Sequence, residues 1–169
     1  ADIVGEALGD FSGFSVALSS DGSRVAIGAH YNDGNGSNSG HVRIYDWNGS
    51  DWVQVGGDIN GEAADDQSGL SVALSSDGSR VAIGAQYNDG NGSNSGHVRI
   101  YDYDGVNDDA DGIDNWTKVG GDINGEAADD YSGFSVALSS DGSRVAIGAY
   151  ANDGNGSNSG HVRVYELNS

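Results

Sequence analysis

The amino-acid sequence predicts an all-β fold in which one unit of four short antiparallel strands is repeated three times. The segment "SVALSSDGSRVAIGA" occurs at 15–29, 71–85 and 135–149. Within each copy the apolar residues recur with a period of two, which is the strand signal, and helical spacing is not sustained anywhere. Clusters of Gly, Asn, Asp and Ser separate the apolar runs and are typical of hairpin turns.

Four apolar runs follow one another in a copy. In "SVALS", "HVRIYD" and "WVQVGG" the apolar residues alternate with residues of the opposite face. The run "RVAIGA" differs, because both of its faces are apolar or small, as in a strand that is covered on both sides. The stretch "NDGNGSNSG" lies between the second and third runs, at 32–40, 88–96 and 152–160, and we expect it to be their connection.

The whole chain, 1–169, is interpreted as a single repeat domain. The first repeat covers 1–57, the second covers 58–121 and includes an acidic insertion at 103–115, and the third covers 122–169. Four antiparallel strands in a unit of about 56–64 residues are typical of a β-propeller blade. The sequence therefore predicts three four-stranded propeller blades in tandem.

The last blade is predicted to lack its outer strand. The run "WVQVGGDI" follows copy one and "WTKVGGDI" follows copy two, but nothing comparable follows "HVRVYELNS". At the start of the chain, "ADIVGEA" matches only the tail of that strand. An unpaired strand edge can pair with another chain.

These motifs resemble a known family. The run "FSGFSVALSSDGSRVAIGA" with the later "SGHVRIYD" is similar to the FG-GAP repeat of integrin α-chain propellers and their relatives, over nearly the whole chain. Ser12 and Gly13 stand where the Phe-Gly of the name falls, and Gly28 and Ala29 match its Gly-Ala. The proline that follows in the family is replaced, the substitutes being His30, Gln86 and Tyr150. The resemblance implies a propeller blade for each repeat.

Calcium-binding members of that family carry a D-x-D-x-D-G loop between the first two strands of a blade. Here the corresponding link is "SSDGS", around Asp21, Asp77 and Asp141. One carboxylate in so short a link cannot supply the six to eight oxygens that calcium prefers. We therefore expect no calcium at these positions.

The repeated stretch "NDGNGSNSG" is compatible with several roles. As a hairpin connection it would use Gly34, Gly36 and Gly40 for positive φ angles. A phosphate cradle is disfavoured, because a strand and not a helix follows. Calcium at Asp33, Asn35 and Ser37 would have a single carboxylate and would be weak. The stretch also holds a glycosylation sequon.

Five N-x-S/T sequons occur, all in predicted loops. About two such triplets would arise by chance in this composition, so N-linked glycans are expected only if the chain passes through a eukaryotic secretory pathway. The acceptor residues are Asn35, Asn48, Asn91, Asn115 and Asn155.

The acidic insertion has two interpretations. Across 102–114 it places acidic and amide side chains at alternating positions before a glycine, as in half of a calcium loop, but Lys118 stands where the bidentate glutamate of a full loop would be. It is either a calcium or other hard-cation site or a solvated loop. The candidate ligands are Asp104, Asn107, Asp109 and Asp111.

Charge and repetition limit the function. The net charge of -19 disfavours nucleic acid and anionic membranes as partners, and no apolar run approaches the roughly 20 residues of a membrane span. No cofactor is required by any motif. Because nearly every polar residue recurs threefold, while an active site is an asymmetric constellation, we expect no enzyme activity.

Six arginines in the strands are expected to pair with aspartates and tie blades together. The histidines of "GHVR" are expected to form an exposed or inter-blade stripe, the residues being His41, His97 and His161.

The sequence therefore favours a non-enzymatic structural or adhesive repeat protein that is extracellular or on the cell surface. Three explanations of the unpaired edge are open: the chain is part of a longer array that closes into six or seven blades, two copies pair into a six-bladed ring, or successive chains complete one another's blades head to tail. We favour self-association into a fibre or a multi-chain propeller. The alternative is a lectin-like module in which the "NDGNGSNSG" loops and aromatic residues hold a glycan multivalently, the candidates being Trp47, Trp52, Tyr103 and Trp116.

Overall fold

The computed structural model describes residues 1–105 and 116–167, and within those ranges every regular element is a β-strand. No helix in this part of the chain is long and apolar enough to cross a membrane. The strands are β1 (Ser15–Leu18), β2 (Arg24–Ala29), β3 (His41–Trp47), β4 (Trp52–Gln54), β5 (Ile59–Asn60), β6 (Ser71–Leu74), β7 (Arg80–Ala85), β8 (His97–Tyr103), β9 (Trp116–Lys118), β10 (Ile123–Asn124), β11 (Ser135–Leu138), β12 (Arg144–Ala149) and β13 (His161–Glu166).

The strands form three antiparallel sheets, which we call blades 1, 2 and 3. Blade 1 has the order β1-β2-β3, with β4 and β5 both on the outer edge of β3, and blade 2 repeats it with β6 to β10. Blade 3 holds β11-β12-β13, and β13 has no outer partner among the described strands. This confirms the all-β fold of propeller-like blades.

The outer strand of a blade is interrupted, which the sequence did not indicate. β4 pairs with the end of β3, whereas β5 pairs with its first two residues, His41 and Val42. Between them the Val55 amide donates to Ile44 O at 2.8 Å, and the pair Gly56 and Gly57 follows before β5 begins. The ladder to β3 is therefore continued in two pieces rather than as one strand.

The blades pack face to face along what we call seams. At the seam of blades 1 and 2 one buried cluster combines Ala26, Val42, Ile44 and Ile59 of blade 1 with Val81, Ile83, Tyr101 and Trp116 of blade 2. A second cluster joins blades 2 and 3 in the same way. Because blade 2 is covered on both sides, all six residues of its "RVAIGA" strand β7 are buried, as predicted.

Small residues let the blades approach closely. A Cβ atom on Gly84 would lie 2.1 Å from Gly133 O, a backbone atom of the next blade. A Cβ atom on Gly148, the equivalent residue of blade 3, would meet no such carbonyl, and its nearest neighbour is the Ser135 side-chain oxygen at 2.4 Å. The glycine of "RVAIGA" is therefore a spacing requirement of a seam and not of the strand itself.

The "SSDGS" turns are closed by their own aspartate. Asp77 Oδ1 accepts hydrogen bonds from Ser75 Oγ at 2.7 Å and from the Ser79 amide at 2.9 Å. The backbone amide and the two serine hydroxyls lower the pKa of Asp77 to about 2. The same bonds form around Asp21 and Asp141, whose pKa values are likewise lowered to about 2. These carboxylates stabilise their turns by accepting hydrogen bonds from both sides of the turn.

Replacing Gly84 by Ala should destabilise the protein by about 1–3 kcal/mol, because the added methyl group collides with a backbone carbonyl that cannot rotate away. Gly148→Ala is the matched control, since Ser135 can change rotamer. Urea unfolding followed by circular dichroism measures both. Equal losses in the two variants would show that the strand, and not the seam, requires the glycine.

Acid should weaken the turns in a defined range. Because folding lowers the pKa of Asp77 from 3.8 to about 2, the stabilisation is complete above pH about 4 and is lost as the pH falls towards about 2. Asp77→Asn should reduce the fall in the urea midpoint over this range. A carboxyl titration by NMR that gives Asp77 its ordinary pKa would contradict the assignment.

Candidate functional site

The "NDGNGSNSG" stretch connects β2 to β3, as predicted, and it also fastens one blade to the linker that leads to the next. Asn35 Nδ2 donates to Gly61 O at 2.8 Å and to Glu62 O at 3.1 Å. Asn38 Nδ2 donates to Asp65 Oδ1 at 3.1 Å. The corresponding residues of blade 2 make the same bonds, so the stretch forms a polar latch at each internal seam.

The glycines of this latch have different roles. Gly36 and Gly40 have φ angles of 131° and 74°, as expected for a hairpin connection. The expectation for Gly34 was wrong, because the third positive φ, 51°, belongs to Asn38. Asparagine tolerates the left-handed region better than most residues. A Cβ atom on Gly34 would instead lie 2.9 Å from the side-chain oxygens of Asn32 and Asn60, so this glycine leaves room for two neighbouring side chains.

Arginines tie each internal seam, as the sequence predicted, but the bond across the seam goes to a backbone carbonyl, and the aspartate that pairs with the arginine belongs to the same blade. Arg24 Nε and Nη2 donate to the two carboxylate oxygens of Asp46 at 2.6 and 2.7 Å. Its third nitrogen, Nη1, donates to Gly78 O of blade 2 at 3.0 Å, and the guanidinium lies over the Tyr103 ring. Arg80 repeats this geometry towards blade 3. Arg24 and Arg80 are thus both buried and paired with a carboxylate.

Each histidine of "GHVR" lies beside carboxylates. In the first cluster His41 Nδ1 is 3.8 Å from Glu6 Oε2 and 3.9 Å from Asp58 Oδ2. The His41 side chain is 1% exposed, and its Nδ1 has no hydrogen-bond partner within the described part of the chain. The clusters of blades 1 and 2 each bring three ligand atoms within 4.8 Å of one another, the members being Glu6, His41 and Asp58, and Glu62, His97 and Asp122.

The imidazoles of these clusters are neutral at pH 7. Burial lowers the pKa of His41, and it lowers the pKa of His97 to about 4. In the third blade His161 Nδ1 lies 3.5 Å from Glu126 Oε2, but no second carboxylate reaches it among the described residues. The histidines were expected at this position between blades or on the surface. Their carboxylate partners were missed, although the repeated "DI-x-GEA" contains both of them.

Most of the acidic insertion lies outside the described residues. This applies to the metal candidates Asn107, Asp109 and Asp111 and to the sequon at Asn115. Of the candidate ligands, Asp104 is described, and its Oδ2 accepts a hydrogen bond from Thr117 Oγ1. The hypothesis of a hard-cation site at 102–114 stays a prediction.

The four described sequons differ in what their amides do. Asn35 and Asn91 use both Nδ2 hydrogens in the latch. Asn48 caps the β3–β4 hairpin through its Oδ1, which accepts from the Ser50 and Asp51 amides, and leaves its Nδ2 without a partner in the described chain. Asn155 is exposed and makes no latch bond, because blade 3 has no following linker among the described residues.

The aromatic residues proposed for carbohydrate binding lie away from the latch loops. Trp116 is 1% exposed, and its Nε1 donates to Val55 O of blade 1 at 3.0 Å, so it is a core residue. Trp47 and Trp52 contact one another at the end of β3, whereas the latch enters at the start of that strand. Seven residues of strand span about 20 Å. One sugar cannot contact both groups.

Comparison with known proteins agrees with the fold. The sequence model of the FG-GAP repeat matches the chain three times, at residues 5–45, 60–101 and 124–165, which together make up most of its length. No curated protein matches the sequence. FG-GAP repeats form propeller-like domains that are often extracellular or adhesive. Three matches, one to each blade of the structure, show that the chain belongs to the FG-GAP repeat family.

Proposed function

We propose that this protein is a non-enzymatic structural or adhesive module of the cell surface or extracellular space, and that its open blade faces associate with another copy of the chain. The observation that supports this proposal is that blade 1 and blade 3 present the two halves of an internal seam. Blades 1 and 2 each bury one face against the following blade. The equivalent face of blade 3 is exposed.

Equivalent apolar side chains are buried in one blade and exposed in another. Val98 and Ile100 of blade 2 are 0% and 2% exposed beneath blade 3. Their equivalents in blade 3, Val162 and Val164, are 67% and 63% exposed. On the opposite side of the molecule Val16 and Leu18 of β1 are exposed, whereas their equivalents in β6 pack into the seam of blades 1 and 2. Covering such apolar faces is favourable.

The hydrogen bonds across the seams lead to the same conclusion as the apolar residues. Ser15 Oγ donates to Gly69 O and Ser71 Oγ donates to Gly133 O, both at 2.7 Å across a seam. Ser135, the next in this series, makes no such bond in the described chain. The carbonyl that corresponds to Gly69 O and Gly133 O in blade 1 is that of Gly13, which a second copy would bring to Ser135.

The arginine of blade 3 also lacks its inter-blade contact. Arg144 pairs with Glu166 in the open at 2.8 Å, whereas Arg24 and Arg80 reach a carbonyl of the following blade. Exposed ion pairs of this kind contribute little. Seating a second copy would give Arg144 the carbonyl of Gly22, the equivalent of Gly78 and Gly142.

The first residues of the chain complete the match. Val4 O accepts a bond from Arg43 Nη2 at 3.0 Å, as Asn60 O does from Arg99 at 2.7 Å. The segment 2–4 therefore lies on blade 1 in the way that the tail of an outer strand lies on the following blade, but it pairs with none of the described strands. In a second copy it is placed to pair with His161 and Val162 of β13 by strand addition.

Association of this kind is head to tail. Such an interface closes into a ring if the rotation between copies allows it, and otherwise propagates as a filament. Two copies would supply six blades, which lies within the range of closed propellers. The carbohydrate-binding alternative has less support, because the latch loops and the tryptophans stand at opposite ends of a blade.

Val164→Asp should abolish self-association, because it places a charge in the face that a second copy covers. We expect the unaltered 169-residue chain to form dimers or longer assemblies with rising concentration in analytical ultracentrifugation, and electron microscopy to separate rings from filaments. Val53→Asp is the matched control, since Val53 is an exposed strand valine outside the clusters of the seams. An unaltered chain that stays monomeric at all concentrations would refute the proposal.

Glycosylation, if it occurs, should favour Asn48 and Asn155 over Asn35 and Asn91. Attachment of a glycan replaces one Nδ2 hydrogen. Among the described sequons, only Asn35 and Asn91 use both Nδ2 hydrogens at a seam. Glycopeptide mass spectrometry after secretion from a eukaryotic host measures the occupancy of each site. Full occupancy at Asn35 would contradict the role of the latch.

A further inference from the structure

The first histidine cluster has the composition of a transition-metal site. His41 contributes an imidazole Nδ1, and Glu6 and Asp58 each turn one carboxylate oxygen towards it, at 3.8 and 3.9 Å. An imidazole nitrogen with two carboxylates suits zinc and similar divalent ions, whereas calcium prefers oxygen ligands alone. We infer that Glu6, His41 and Asp58 bind one divalent transition-metal ion of the zinc type.

The nitrogen that faces the cluster is otherwise unsatisfied. His41 Nδ1 is buried and has no hydrogen-bond partner among the described residues, although a buried polar atom without a partner is costly. Glu6 and Asp58 are both too far away to hydrogen-bond to it. A bound cation would satisfy the imidazole lone pair and both carboxylates together.

The second oxygen of each carboxylate is already held by a neighbour. Arg43 Nη1 lies 3.3 Å from Glu6 Oε1, and Gln54 Nε2 donates to Asp58 Oδ1 at 2.7 Å. These contacts leave Oε2 and Oδ2 facing His41. Outer contacts that orient ligands in this way are characteristic of metal sites.

The distances fit a small ion. Ligand atoms around a tetrahedral zinc ion lie about 3.4 Å apart, given metal–ligand bonds of about 2.0–2.2 Å. The two carboxylates would therefore move inward by about half an ångström. A shift of this size is compatible with the contacts to Arg43 and Gln54. Both carboxylates are partly exposed, so the ion can enter from solvent and take a water molecule as its fourth ligand.

The second cluster provides an internal comparison. Lys118, the equivalent of Gln54, places Nζ 2.5 Å from Asp122 Oδ1 and 3.9 Å from Glu62 Oε1. Its ammonium group supplies the positive charge that a metal ion would otherwise bring, and it repels a cation at Glu62, His97 and Asp122. The first cluster should therefore bind metal in preference to the second. The third cluster lacks a second carboxylate among the described residues.

The test is zinc binding to the 169-residue chain, by isothermal titration calorimetry and by equilibrium dialysis with elemental analysis. We expect one tightly bound zinc ion per chain. Asp58→Asn should weaken it by at least about 100-fold while retaining the bond from Gln54. Asp51→Asn, the same charge change on an exposed hairpin, is the matched control and should leave binding unaltered.

Exchanging Gln54 of the first cluster and its equivalent in the second, Lys118, gives a further test. Gln54→Lys should weaken binding at the first cluster by about 10- to 100-fold, and Lys118→Gln should create a second equivalent site. A long-range imidazole NMR spectrum should show zinc at Nδ1 of His41. Because the first cluster lies within one chain, binding does not depend on self-association.

Three results would overturn the inference: no zinc binding by the unaltered chain, equal loss in the Asp58→Asn and Asp51→Asn variants, or displacement of zinc by an equal concentration of calcium. The last two would show that zinc is attracted only by the diffuse negative charge of the protein.

Discussion

Face-to-face packing of successive blades is the constraint on which the rest of the structure depends. Each blade is a single sheet with apolar residues on both sides, and its own strands cannot cover either side. The cluster that joins Val42 and Ile44 to Val81 and Ile83 exists only because two blades meet. The central blade is the most completely buried for the same reason.

The same packing decides where charge is located. The chain carries 26 acidic residues and only seven Lys and Arg, and all seven of these cations lie in strands. A buried guanidinium is tolerable only when it is paired and hydrogen-bonded, which explains the two-oxygen contact of Arg24 with Asp46 and its third bond to the next blade. In blade 3 the equivalent pair lies in the open. The contribution of each ion pair to stability therefore depends on whether a neighbouring blade covers it.

Long, polar loops are also organised by the seams. A connection as long as that between β2 and β3 is not needed to reverse a hairpin, since two residues suffice. Its length lets Asn35 and Asn38 reach the linker to the next blade. The aspartate side chains of the turns between the first two strands bond by contrast only locally, as Asp77 does to serines two residues away on either side. The backbone of these turns still joins the blades, since the Ser20 amide donates to Ser76 O at 2.8 Å.

The sequence by itself determined the first three strands of each blade, the repeat, the turn positions and the pairing of Arg24 and Arg80 with aspartates. These features depend on residues close together in the chain or on a period that recurs three times, so they can be recognised without coordinates. Only the tertiary structure decided that Trp116 is a core residue, that Gly34 serves packing rather than backbone conformation, and that Glu6 and Asp58 meet at His41. These depend on which residues the pairing of strands and the stacking of blades bring together over distances of 17 to 61 positions in the chain.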